Sequence, residues 1–212
     1  TQWNQWKNNW NTYSSNYEHV SLTPGADQTQ LNLAWYSHTT ETPAVRIATK
    51  QNMDGAKEFV GTQTEAVTID GVKYFSNKAT VKGLKENTKY YYQVFQNGKW
   101  QDAETYTTKS FDSFSFLYVG DPQIGASKNQ TSTEQEKMVS AGNEVSSAAK
   151  DNLAARNDGY NWNNILNDAV KDHEDVSFIV SAGDQVNAGK NEREYAAYLG
   201  ADALASLPVA TT

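Results

Sequence analysis

Hydrophobic spacing divides the chain into three stretches with different periods. Trp3, Trp6, Trp10, Tyr13 and Tyr17 recur every three or four residues, which puts five aromatics on one stripe of an amphipathic N-terminal helix. Such a stripe can stack on a sugar or cell-wall polymer or pack against the body of the protein, and packing is the expectation. From His19 to Lys109 the period shortens to two: Leu31, Leu33 and Trp35 alternate along one segment, Val45 and Ile47 along another, and Tyr90, Tyr92 and Val94 along a third. Asp54-Gly55, Asp70-Gly71 and Asn97-Gly98 supply turns where positive φ is cheap, so this stretch predicts an antiparallel sandwich. Beyond Lys109 apolar runs alternate with helical patterns. They predict a strand from Phe114 to Val119 and a helix over about Thr133–Arg156, with Thr133 and Glu136 as a capping box and Met138, Val145, Ala149 and Leu153 as its stripe. A second helix follows, marked by Trp162, Ile165, Leu166, Ala169 and Val170, then a parallel strand from Val176 to Ala182. A third helix over about Glu192–Leu207 leads into the start of a third strand after Pro208.

Both strands of that last stretch end in Gly-Asp: Gly120-Asp121-Pro122-Gln123 after the first, and Gly183-Asp184-Gln185-Val186-Asn187 after the second. Strands hydrophobic nearly throughout are expected to be buried on both faces, and in open α/β sheets ligands collect beyond the carboxyl ends of such strands. Two carboxylates meeting there repel unless a cation lies between them, which makes the pair a candidate metal site. Residues two apart in an extended segment share a face, so Asp121 and Gln123 are expected to reach one ion, with Pro122 holding Asp121 extended. Gly120 and Gly183 are expected to let the strand ends turn beneath the metals.

Composition narrows the field of functions. A net charge of -7 with scattered Lys and Arg leaves no basic stripe for nucleic acid or an anionic membrane. The absence of cysteine excludes disulfides, thiolate metal sites and cysteine nucleophiles. No apolar run approaches the roughly 20 residues of a membrane span. Abundant Asn, Gln, Ser and Thr with few charges suit a secreted or cell-surface protein. Two full strands and a stub would leave an open sheet edge and an exposed apolar face, so the α/β unit reads as unfinished.

The segment Leu84-Lys85-Glu86-Asn87-Thr88-Lys89-Tyr90 resembles the tyrosine corner of fibronectin type III domains, in which a tyrosine hydroxyl ties back to the backbone just upstream. The order of fibronectin-like domain, strand-Gly-Asp-Pro-Gln-x-Gly, helices, strand-Gly-Asp-x-x, helix and Leu-Pro-Val resembles the purple acid phosphatase-like branch of the calcineurin-type metallophosphoesterases over nearly all of the chain after about residue 17. The fold implied is an α+β two-domain chain: a helical segment at 1–18, a fibronectin type III-like sandwich at 19–109, and at 110–212 the first half of a four-layer α/β metallophosphoesterase domain. The resemblance implies two divalent ions (Mn, Fe, Zn, Mg or Ca), with Asp121 on one and Asp184 bridging both. In the complete protein such ions would polarise a phosphate ester and activate water for in-line attack. A Gly-Asn-His-Asp block and later histidines complete the site in the family, and the general acid is usually a histidine of that block; these are absent from the 212 residues, so the fragment alone is expected to be inactive. Its partners would be a phosphate ester and the remaining half of the catalytic domain, in the same or a cleaved chain.

Two positions depart from the family pattern. Gln123 stands where the wider pattern has histidine, though its amide oxygen can still bind a hard ion or orient water. Asn187 stands where true purple acid phosphatases carry the tyrosine that gives the ferric colour, so it counts only as a weak ligand candidate and no purple chromophore is expected. These departures support a rival reading, a non-enzymatic cell-surface or carbohydrate-binding module with a vestigial metal site. His19, His38 and His173, the acidic run Asp168, Asp172, Glu174 and Asp175, and Tyr195 and Tyr198 all read as structural or surface groups.

Overall fold

The computed structural model describes residues 1–130, 137, 141–142 and 145–211. Helix α1 (Gln2–Ser14) is followed by nine strands: β1 (Ser21–Pro24), β2 (Gln30–Ser37), β3 (Ala44–Ala48), β4 (Lys57–Val60), β5 (Thr62–Ile69), β6 (Val72–Lys82), β7 (Lys89–Gln96), β8 (Lys99–Trp100) and β9 (Glu104–Thr107). They form two antiparallel sheets, one in the order β1-β2-β6-β5 and one in the order β4-β3-β7-β8 with β9 also on β7. The alternation read in the sequence is the inward face: Leu31, Leu33 and Trp35 of β2 meet Val45 and Ile47 of β3 and Tyr92 and Val94 of β7 in one buried cluster. The Tyr90 hydroxyl accepts the Lys85 N–H at 2.8 Å, the tie expected of the corner.

Two of the three expected turns are tight hairpins with positive φ at both residues, Asp70 (50°) with Gly71 (80°) and Asn97 (53°) with Gly98 (78°). The third differs. Around Asp54-Gly55 the positive φ falls on Met53 (61°) and Gly55 (73°), because β3 and β4 are joined by a longer loop closed by Met53 N–H to Lys50 O and Ala56 N–H to Met53 O.

After the sandwich come β10 (Ser115–Val119), helix α2 (Ser147–Asp172), β11 (Val176–Ser181), helix α3 (Glu192–Leu199) and β12 (Val209–Thr211). The three strands make a parallel sheet in the order β10-β11-β12, with Leu117 opposite Ile179 and Ile179 opposite Val209. The helices differ from expectation. The capping box at Thr133 and Glu136 and the stripe residue Met138 lie outside the described residues, and the chain from Ser147 to Asp172 is one helix, capped by Ser146, whose hydroxyl accepts the Ala149 N–H at 3.1 Å. Asn157-Asp158-Gly159 has turn composition, yet it stays helical because Gly159 lets Ala197 and Trp6 approach: a Cβ there would lie 3.0 Å from Ala197 Cβ. Helix α3 stops at Gly200, and a separate 3-10 turn, Asp202–Ala205, covers the rest of the expected third helix.

Helix α1 packs on the distant parallel-sheet unit. Trp6 and Trp10 are 8% and 3% exposed and share a core with Ala155, Trp162, Leu166, Ile179, Ala197 and Val209. Trp6 Nε1 donates to the Arg156 carbonyl at 2.8 Å, and the Trp3 and Tyr160 rings lie 5.0 Å apart. The sandwich joins the same body through the Tyr92 hydroxyl, which donates to the Ala205 carbonyl at 2.7 Å.

One face of the parallel sheet is open, against the expectation of strands buried on both sides. Phe116 and Tyr118 are 49% and 71% exposed, while their neighbours Leu117 and Val119 pack into the core. Phe116 and Phe178 stack at 5.5 Å on that open face. The helices α1, α2 and α3 share one core with Leu117, Ile179 and Val209, so one face is covered and the alternating set is left to solvent. No helix among the described residues is long and apolar enough to cross a membrane.

The expected structural histidines have distinct surroundings. His38 pairs with Glu18 at 2.6 Å, and His173 caps the end of α2. His19 lies in the segment between α1 and β1, with Nε2 enclosed and unpartnered, and burial lowers its pKa from the ordinary 6.5. A depressed folded pKa means that this contribution to stability is full above about pH 6.5 and is lost as pH falls through the folded value, because only the unfolded chain readily takes the proton. Urea midpoints at about pH 7.5 and 5.5 are therefore expected to drop more in the native chain than in His19→Leu. Parallel drops in the two proteins would rule the effect out.

Candidate metal centre

The two Gly-Asp loops meet at the carboxyl edge of the parallel sheet. Val119 pairs with Ser181, and past that pair the Ala182 N–H donates to Val119 O at 2.8 Å. The pairing then continues through the loops: Gln123 N–H donates to Asp184 O at 2.8 Å, Ile124 N–H to Gln185 O at 3.1 Å, and Asn187 N–H to Ile124 O at 3.0 Å. Ile124 and Val186 form a parallel bridge, and Ile124 is fully buried, so it anchors the first loop in the core. Side chains join the same seam, with the Gln123 amide donating to Asp184 Oδ2 at 3.2 Å.

The backbone reaches this arrangement by turning left-handed. Asp121 (φ 49°), Gln123 (37°) and Asp184 (48°) all have positive φ, with Gly183 at 99° and Gly125 at 102°. The expectation that Pro122 keeps Asp121 extended is therefore corrected: Asp121 and Gln123 lie in a left-handed turn, not in a strand with alternating faces. The freedom expected of Gly183 is used, while Gly120 has no positive φ and a Cβ there would make only an ordinary 3.7 Å contact with Ala182. Non-glycine residues in the left-handed region cost about 1–3 kcal/mol each and persist only where their surroundings hold them.

Two buried or half-buried carboxylates do the holding, and neither stands out in the sequence pattern. Asp158, in the middle of α2, accepts the backbone N–H groups of Gly125 (2.9 Å) and Ser127 (3.2 Å), fixing the turn after Gln123. Glu194, in α3 and 2% exposed, accepts the Ala188 N–H at 2.6 Å and the Asn191 side-chain amide at 3.0 Å, fixing the loop after Asn187. Burial pushes the Glu194 carboxyl above the ordinary range even against those hydrogen bonds. Gly125 lies directly against it, since a Cβ there would come within 2.3 Å of Glu194 Oε1. One signal for Glu194 was present: Asn191-x-x-Glu194 has capping-box spacing, and Asn191 Oδ1 does accept the Arg193 N–H at 3.2 Å. Asp158 had no such mark, because a carboxylate in a helix ordinarily reads as a solvated face.

The seam thus brings the amide of Gln123 onto Asp184, with Asp121 two residues before Gln123 on the same loop, while Asn187 enters it through its backbone. Among the described residues, Asp184 Oδ1 and both carboxylate oxygens of Asp121 accept no hydrogen bond, and no three His, Cys, Asp or Glu side chains gather as a metal cage. Tyr198 stacks on Trp162 at 5.2 Å, consistent with a packing role, whereas Tyr195 lines a cavity between α3 and the sandwich.

The family model for the purple acid phosphatase N-terminal domain aligns with the β-sandwich. Residues 17–108 match that domain. No curated protein matches the chain in sequence. Among solved structures, the chain resembles the purple acid phosphatase from yellow lupin (Lupinus luteus) seeds at 14% identity and a TM-score of 0.59, covering 92% of this chain. It also aligns with PhoD at 11% identity and a TM-score of 0.48, over 93% of this chain and 39% of PhoD. The likeness to the lupin enzyme extends beyond the purple acid phosphatase N-terminal domain, and it is a likeness of fold. The chain spans about a third of the lupin chain, 34% of its length.

Proposed function

We propose that the chain is the N-terminal part of a dinuclear metal-dependent phosphoesterase, with residues 110–212 forming the first half of its catalytic domain. Asp121 would be a terminal ligand of one ion and Asp184 the bridging ligand. The observation that carries this reading is the seam that binds the Asp121–Gln123 turn to the Asp184 turn at the carboxyl edge of a parallel sheet. Oxygen donors from two carboxylates and an amide suit a hard divalent ion, and three positive-φ residues mark the loops as strained for a purpose. Divalent ions there would supply Lewis-acid polarisation of a phosphate ester and activation of the attacking water.

The chain's own residues define how much of the task is present. Gln123 orients one oxygen of Asp184 and leaves the other open, while Asp158 and Glu194 hold the two loops in register. Asn187 in place of a tyrosinate supports a divalent, colourless centre. The open aromatic face at Phe116 and Tyr118 suits a sheet covered on that side by the remainder of a catalytic domain. Secretion or surface display is the location that fits the polar, cysteine-free composition.

Paramagnetic broadening by Mn²⁺ in the amide spectrum of the 212-residue chain tests the reading without requiring turnover. Selective broadening at 120–124 and 183–187, abolished in Asp184→Asn, is expected; broadening confined to other acidic segments would overturn it. Turnover of a chromogenic phosphomonoester is expected to stay at background. Hydrolysis that Asp184→Asn removes would show that 212 residues suffice.

A further inference from the structure

Where α3 faces the sandwich, a cavity of about 340 Å³ opens between Tyr17, Trp35, Tyr36 and Ser76 on one side and Glu192 and Tyr195 on the other. Its volume falls at the small end of the ~300–1,000 Å³ usual for small-molecule sites. Gly189, from the loop that follows the Asp184 turn, also lines it. The rings are braced from behind: Tyr74 meets Tyr17 edge-on at 5.9 Å and lies 6.2 Å from Tyr36.

The polar groups on these walls are largely uncommitted. The Arg193 charge lies near Tyr17 and opposes the rise that burial gives its phenol, while among the described residues the Tyr36 and Tyr195 hydroxyls and the Glu192 carboxylate have no hydrogen-bond partner. Burial holds the Tyr36 phenol above its ordinary range, with Glu192 and Tyr195 adding to the effect, so the hydroxyl remains a donor. Burial also pushes the Glu192 carboxyl up. The charge balance is close to even: the lining contains no lysine or arginine, Arg193 lies beside Tyr17 and opposes Glu192, and burial keeps His19 towards its neutral form. An anion would meet the Glu192 carboxylate with no lining cation, and an organic cation would meet Arg193.

We propose that this cavity binds a small neutral saccharide, whose C–H face packs on the Tyr17 and Tyr36 rings while its hydroxyls pair with Glu192, Tyr36 and Tyr195. Aromatic surface beside an open carboxylate and open phenols is the donor and acceptor set that a polyol satisfies. The site is separate from the metal-centre proposal and does not rest on it.

Titration of the isotopically labelled chain with glucose, N-acetylglucosamine and cellobiose, against choline chloride and inorganic phosphate, decides the matter. At least one of the sugars is expected to give saturable amide shifts at Ser76, Gly189 and Tyr195. Glu192→Gln, which keeps the shape of the wall, is expected to weaken that binding about tenfold, by loss of charge-assisted hydrogen bonds. Tyr195→Phe, which removes only a hydroxyl, is expected to weaken it several-fold. Saturation by choline or phosphate in place of a sugar would overturn the proposal, as would the absence of saturable shifts with all three sugars. Sugar shifts unchanged in both variants would overturn it too.

Discussion

Replacing Trp10 by alanine is expected to cost about 3–5 kcal/mol of stability, the range for truncating a buried tryptophan. Trp10 is 3% exposed, its ring lies 5.9 Å from that of Trp6, and its Nε1 donates to Asn152 Oδ1 at 2.9 Å. The substitution therefore opens a cavity in the core shared by α1, α2 and α3 and leaves the Asn152 amide oxygen without its donor. Against a total stability of about 5–15 kcal/mol for ordinary domains, such a loss is a large fraction of the whole. A lower urea midpoint with an unchanged slope would show that α1 is an integral part of the folded body. Trp10→Phe keeps a ring in the cavity and forfeits mainly the hydrogen bond, so its cost is expected near ~1 kcal/mol. Equal stabilities of Trp10→Ala and the native chain would mean that α1 is not docked.

That result would also explain why the aromatic stripe could be read but not placed. Spacing at three and four residues identifies the helix and its apolar face, since both follow from local geometry. The surface it packs against lies about 140–190 residues away, in α2 and α3, and no local pattern encodes that choice. The sandwich was legible in its alternation, two of its three expected Asx-Gly turns and the Tyr90 corner, because these are all short-range signals. Helix boundaries were not: Asn157-Asp158-Gly159 has the composition of a turn, but Gly159 contacts Ala197 and Trp6 and Asp158 bonds the loop at Gly125, so tertiary contacts override propensity. The same holds at the candidate centre. Two Gly-Asp strand ends were visible as a pair, whereas the left-handed turns at Asp121 and Gln123 exist only because the seam to Asp184 and the hidden carboxylates Asp158 and Glu194 hold them.

Gly125→Val tests that holding arrangement most severely, and a loss of about 2–5 kcal/mol is expected. Gly125 has φ 102°, and an L-residue in the left-handed region carries about 1–2 kcal/mol of strain, more when it is β-branched. Its new Cβ would lie 2.3 Å from Glu194 Oε1 and 2.6 Å from Cδ. A flexible surface carboxylate could swing aside, but Glu194 is buried and bonded to the Ala188 N–H and the Asn191 amide. Moving it strips the acceptor from a backbone N–H, which adds about 1–3 kcal/mol. The consequence for function is that both loops loosen together, so Mn²⁺ broadening at 120–124 and 183–187 is expected to weaken with the melting temperature. A cycle with Glu194→Ala separates the two causes: Gly125→Val should cost less in that background, because the clash is gone while the backbone strain remains. An equal cost in both backgrounds would assign the whole effect to φ strain, and a Gly125→Val protein as stable as the native chain would show that Glu194 does not bind the two loops into one unit.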